Sequence, residues 1–132
     1  MPPSDLFLAQ SPPANLQPVD FDFGAAQAAA AALRDAADTV HRAAGTRASN
    51  SRDAEGSWTG GQRHTFDKIE HALAGAASDL VRSLRDAADK LHEQAAAAHA
   101  ENSRRKVGLD HWQHDLAAAR RRYIEAQNQR TK

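Results

Sequence analysis

The fold is decided at residues 49–61, which read Ser49-Asn50-Ser51-Arg52-Asp53-Ala54-Glu55-Gly56-Ser57-Trp58-Thr59-Gly60-Gly61. Glycines and small polar side chains dominate this stretch, as is typical of a turn between two regular elements. Trp58 differs from its neighbours, because a large aromatic side chain needs a surface to pack on. We therefore predict that the chain reverses here, with Trp58 and Gly60 at the bend.

The sequence before this turn has helical periodicity. Apolar residues recur at intervals of three and four, which places them on one helix face. They are Ala26, Ala29, Ala30, Leu33, Ala37, Val40 and Ala44. We expect a first helix from about Asp22–Gly24 to about Ala48, with Leu33 and Val40 as its larger interface residues.

The sequence after the turn predicts a longer helix from about Gln62 to Ala100. Its apolar seam has near-heptad spacing, and consists of Phe66, Ile69, Leu73, Ala76, Leu80, Leu84, Ala87, Leu91 and Ala95. A polar run at 101–106 and Gly108 then interrupt the seam, which resumes at Leu109, Trp112 and Leu116. We expect a break near 101–108 and an additional C-terminal helix, with one continuous helix as the alternative.

These patterns divide the chain into three segments. All five prolines precede residue 19, so residues 1–20 are expected to form a flexible, proline-rich arm. Residues 21–100 are expected to form the helical hairpin, and residues 101–132 a basic helical extension with eight Lys and Arg against four Asp and Glu. The predicted class is an all-α antiparallel hairpin. Because alanine covers an apolar stripe poorly, we expect pairing into a four-helix bundle, with a monomeric three-helix bundle as the alternative.

Several classes of function are not favoured. The chain has no Cys, and its 17 basic and 17 acidic residues balance, so thiolate chemistry is absent and no overall charge attracts nucleic acid. We expect no membrane span, no Sec-type signal peptide, no cofactor and no catalysis. His111, His114 and Asp115 lack a clear further ligand, so no metal site is expected. Trp112 shares the spacing of Leu109 and Leu116, which favours packing over stacking on nucleic-acid bases.

The bend and its surroundings resemble the Trp-x-Gly (WXG, ESAT-like) family of type VII secretion substrates, in particular its actinobacterial members. The resemblance covers roughly residues 19–100. It rests on residues 56–61 followed by Phe66, and on the approach to the first helix, Val19-Asp20-Phe21-Asp22-Phe23-Gly24. A Trp-x-Gly triplet is a weak pattern by itself, and its position between two heptad-patterned helices makes it more informative.

This resemblance implies a protein that pairs with itself or with a cognate helical protein as a four-helix bundle. It also implies recognition by a type VII secretion ATPase and secretion after a cytoplasmic stage. Trp58 and Gly60 would then be export or partner-recognition residues, and a close variant makes the chain the targeting partner of a toxin. Tyr123 would belong to the family's Tyr-x-x-x-Asp/Glu export signal, but Gln127 stands where that signal has a carboxylate. Either a partner supplies the signal or residues 123–127 are a degenerate version.

The alternative is an intracellular coiled-coil adaptor that binds an acidic partner or nucleic acid through its basic C-terminal helix. Arg104, Arg105 and Lys106 form one basic cluster, and residues 120–122 form another. Strongly salt-dependent binding would indicate this class of protein.

Overall fold

A computed structural model describes residues 11–131 of the chain. Within this range there are two α-helices, α1 (Phe23–Glu55, 33 residues) and α2 (Gly60–Arg130, 71 residues), a single 3-10 turn at Ala14–Leu16, and no strand. Arg34 pairs with Asp89 while Arg47, farther along α1, pairs with Glu70, so the two helices run antiparallel. The predicted all-α helical hairpin is confirmed.

Helix α1 begins where the sequence predicted but ends later. Asp22 is its N-cap, and the Asp22 carboxylate accepts a hydrogen bond from the backbone N–H of Ala25 at 2.9 Å, which satisfies one of the N–H groups left open at a helix start. The predicted end near Ala48 is wrong, because α1 continues through the polar residues to Glu55. Polar side chains remain compatible with a helix when they are exposed, so the turn shortens to residues 56–59.

Helix α2 is continuous, and the predicted break near 101–108 is wrong. The polar run supports the helix instead of ending it, since Glu101 forms ion pairs with Arg104 and Arg105 one turn later. Gly108 also lies within the helix, where a lone glycine lowers stability without stopping the hydrogen-bond ladder. The additional C-terminal helix is therefore the end of α2.

The chain forms two compact units. One contains residues 22–95, and in the other the described residues are 11–21 and 96–131. In this second unit the described part of the predicted arm contacts α2, since the backbone N–H of Val19 donates to the side chain of Asn102 at 2.8 Å. Residues 1–10 of the predicted arm lie outside the described residues.

The hairpin unit has a core of small side chains. Its buried residues within the described range are Ala26, Ala30, Ala37, Val81 and Ala88. Alanine at these positions lets the two helices approach closely but removes little apolar surface from water. The hairpin is consequently held by a narrow contact between α1 and α2.

Candidate functional site: the bend and an uncharged face

The bend joins α1 to α2 through Trp58, which stacks on Phe66 in the first turns of α2. The ring centroids lie 4.8 Å apart and the ring planes are inclined by 50°, within the range of favourable aromatic pairs. The side chain of Ser57 donates to the carbonyl of Ala54 at 2.9 Å, which closes the end of α1. Trp58 is nevertheless 40% exposed, so the bend presents part of an aromatic surface to solvent.

Gly60 is required by its backbone conformation. Its φ is +66°, in the left-handed region that costs other L-residues about 1–2 kcal/mol. A Cβ added at Gly60 would meet nothing within 4 Å. Crowding therefore does not explain this glycine, which is needed because it reverses the chain without strain.

On α2 the predicted seam separates into neighbouring stripes with different surroundings. Phe66, Leu84 and Leu91 are half-buried, while Ile69, Leu73 and Leu80 are 53%, 39% and 49% exposed. The buried positions of α2, Val81 and Ala88, were not among the predicted interface residues. The predicted seam thus covers two stripes, of which only one packs against α1.

The exposed stripe continues onto α1 as a single uncharged face. On α2 it follows heptad spacing through Ile69, Leu73, Ala76, Leu80, Ser83 and Ala87, and on α1 through Ala25, Ala29, Ala32, Ala36, Thr39 and Ala43. All of these residues are exposed except Ala87, which is half-buried. We call this surface the uncharged face; its α2 half is bulky and its α1 half is almost entirely alanine.

The opposite side of the hairpin carries cross-helix ion pairs. Arg34 lies 3.4 Å from Asp89, and Asp38 lies 3.6 Å from Arg85. Arg34 also contacts the ring nitrogen Nε2 of His92 at 2.7 Å. Both ion pairs lie on one side of the buried residues that join the helices. The uncharged face therefore lies on the opposite side of both helices.

Arg47 and Glu70 form the shortest cross-helix ion pair of the hairpin unit, at 2.8 Å. A hydrogen bond from the Ser51 side chain is the main factor that lowers the pKa of the Glu70 carboxyl. Partial burial raises this pKa, and the Arg47 guanidinium lowers it further. Leu33 and Val40 on α1 are half-buried. Arg47 and Glu70 lie nearer the bend than Leu33 and Val40, and Leu33 lies nearest the open end of the hairpin.

Small residues leave an open groove in the middle of the hairpin. It has a volume of about 840 Å³ and is lined on α1 by Ala44, Gly45 and Ala48, and on α2 by Ala77 and Ser78, among others. A gap of this kind forfeits dispersion contacts that a filled core would make. The hairpin therefore leaves an open groove between its helices at this level.

The second unit contains the remaining predicted residues. Leu109, Trp112, Leu116 and Tyr123 are all half-buried. The Gln127 amide donates to the phenol oxygen of Tyr123 at 2.9 Å, so the residue four positions after the tyrosine contacts it. This contact was not expected from the sequence, although spacing of four residues on a helix is the signal that reveals it.

Two findings bear on the remaining expectations. Among residues 11–131, no helix is both long and apolar enough to cross a membrane. In the same range, no three or more His, Cys, Asp or Glu side chains gather in a group suited to a metal ion.

No family model, curated protein or solved structure matches the chain. The class that the geometry defines is a two-helix hairpin with one ion-paired side and one uncharged side.

Proposed function

We propose that this protein is a WXG-like substrate or targeting partner of a type VII secretion system, and that it works as a helical hairpin paired with a second hairpin. The observation that carries the proposal is the uncharged face, which places Ile69, Leu73 and Leu80 in solvent beside an alanine core. In water, covering such a stripe with another apolar surface lowers the free energy of the protein and its solvent.

The partner we propose is a second copy of the chain. A two-fold axis brings the bulky α2 half of one uncharged face onto the alanine half of the other, and the reverse contact follows by symmetry. Large side chains then fill the shallow surface over small ones, which suits a four-helix bundle. No charged side chain lies along the two heptad stripes of this face, so pairing buries no unpaired charge.

In this proposal, a secretion ATPase recognises the bend and the end of α2. Trp58 exposes part of its ring beside Phe66, and an aromatic anchor of this type suits a recognition surface. Tyr123 with Gln127 is the degenerate form of the export signal in this proposal. The intracellular adaptor remains the alternative, and the same experiments distinguish it.

Pairing is tested by sedimentation equilibrium of the full chain. We expect a dimer for the natural sequence and a monomer for Leu80→Glu, because the carboxylate would be buried in the interface. His71→Glu places the same group on the ion-paired side of α2 and should remain dimeric. A monomeric natural chain at micromolar concentration contradicts self-pairing, and association of that monomer with a co-expressed hairpin would instead indicate a cognate partner.

Export is tested by secretion from a bacterium that carries type VII machinery. Trp58→Ala should lower the amount of protein in the culture supernatant while the dimer persists, and Trp112→Ala serves as the control for loss of a tryptophan. Gln127→Glu restores a carboxylate four residues after Tyr123 and should increase secretion. Unchanged secretion in Trp58→Ala and Tyr123→Ala would contradict the export proposal, whereas salt-dependent cytosolic binding would favour the adaptor.

A further inference from the structure

The N-terminal segment is held on α2 by side chains that bind its backbone. The N–H of Val19 donates to Asn102 Oδ1 at 2.8 Å, and Arg105 Nη1 donates to the carbonyl oxygen of Gln17 at 2.8 Å. Asn102 and Arg105 are three residues apart and share a helix face. Together they bind one donor and one acceptor of an extended main chain, which is how a peptide segment is recognised.

Gly108 continues the same face and makes room for Leu16. A Cβ added at Gly108 would lie 2.7 Å from Cδ2 of Leu16, closer than packed carbon atoms approach. Positive φ does not explain this glycine, because Gly60 alone among the described glycines has one. Gly75, also within α2, would meet nothing within 4 Å. Glycine weakens a helix relative to alanine, but at 108 it leaves the end of the Leu16 side chain in a place from which an added Cβ would shift it.

Both sides of this contact are pre-shaped. In the N-terminal segment, the N–H of Leu16 donates to the carbonyl of Pro13 at 2.9 Å, and the Gln17 side chain donates to the carbonyl of Pro12 at 3.1 Å. On α2, Glu101 accepts a hydrogen bond from Arg105 Nε at 2.8 Å. Proline rings restrict φ whether or not the segment is docked, which lowers the entropy lost on docking, and the local bonds hold the docked shape.

We propose that Asn102, Arg105 and Gly108 form a binding site for a proline-containing segment with a 3-10 turn followed by extended backbone, and that residues 12–19 of the same chain occupy it as a strap. The strap covers this face of α2, so another peptide or helix reaches the face only by displacing it. The inference is independent of type VII export, since it rests on contacts within the second unit alone.

The test is Gly108→Ala in the full chain, with amide hydrogen exchange at Val19 as the readout. The new Cβ should displace Leu16 and accelerate exchange at Val19 roughly tenfold, as expected when a hydrogen-bonded segment opens locally. Gly75→Ala is the matched control and should leave Val19 unchanged. Because both substitutions favour helix formation, unfolding of α2 does not explain a selective effect.

A second variant restores the space. Leu16→Ala combined with Gly108→Ala removes the clash and should return exchange at Val19 toward the natural rate. Asn102→Ala removes the acceptor of the Val19 N–H and should accelerate exchange there. Asn102→Asp keeps an acceptor oxygen and should leave the exchange rate nearly unchanged. Equal exchange at Val19 in the natural chain, Gly108→Ala and Asn102→Ala would overturn the proposal. Protection of Val19 should not change on dilution, and protection lost on dilution would overturn occupancy by the same chain in favour of exchange between copies.

Discussion

Gly60 and Gly61 are adjacent at the start of α2, yet only Gly60 adopts a left-handed backbone, with φ of +66°. A Cβ at either position would meet no atom within 4 Å. The two glycines therefore differ in backbone conformation and not in crowding. Substitution at the two positions isolates the contribution of that conformation to stability.

Gly60→Ala should destabilise the hairpin by about 1–2 kcal/mol, because alanine in the left-handed region is strained. Gly61→Ala should instead stabilise it by up to about 1 kcal/mol, since alanine favours a helix. Urea unfolding followed by circular dichroism at one fixed protein concentration measures both changes. Effects of the same sign would contradict the assignment of the bend conformation to Gly60.

Asp22→Ala should lower the free energy of unfolding by about 1 kcal/mol, because it removes the N-cap of α1. The bond lost is the one that the carboxylate accepts from Ala25 N–H. Asp20→Ala removes an equal charge two residues earlier and should change stability by less than about 0.5 kcal/mol. Thermal unfolding of both variants checks the prediction, and a comparable loss in Asp20→Ala would attribute the effect to charge.

Ala37→Leu should destabilise the hairpin by about 1–3 kcal/mol through overpacking. Ala37 is fully buried, with 0% exposure, in the narrow contact between α1 and α2. Ala31→Leu enlarges an exposed alanine of the same helix and should be nearly neutral. Chemical denaturation distinguishes them, and tolerance of leucine at 37 would mean that the helices separate easily.

Glu70→Gln should lower stability at neutral pH and have less effect in acid. The folded-state pKa of Glu70 is lowered from 4.5, so its stabilising contribution is present above the unfolded-state pKa and is lost as the pH falls through the folded-state value. The melting temperatures of the natural chain and of Glu70→Gln, measured from neutral pH to below the folded-state pKa of Glu70, should converge at low pH. A difference that grows on acidification would have the wrong sign for a carboxyl whose pKa is lowered.

The sequence predicts the bend but not which apolar stripe of α2 is buried. Trp58 and Gly60 interrupt helical periodicity, which makes the reversal visible in the residues alone. The buried stripe contains Val81 and Ala88, whereas the bulkier Leu80 is nearly half exposed. Hydrophobicity ranks leucine above alanine, but a close helix contact selects small side chains, and this preference depends on a facing helix.

Gly108 illustrates a second limit of sequence reasoning. Its presence after the polar run 101–106 predicts a helix break when only neighbouring residues are considered. In the fold, the space beside Gly108 is taken by the side chain of Leu16, a residue far away in the chain. Contacts between distant segments leave no local periodicity from which they can be predicted.

The ion pairs between the helices oppose sliding of α1 along α2. An alanine contact has few bulky side chains to resist sliding of one helix along the other. The signs of the paired charges alternate along α1, as positive, negative, positive and negative, in Arg34–Asp89, Asp38–Arg85, Arg47–Glu70 and Glu55–Arg63. A slip of about one helical turn brings Arg34 opposite Arg85, so like charges oppose the shifted register even though each exposed pair adds little stability.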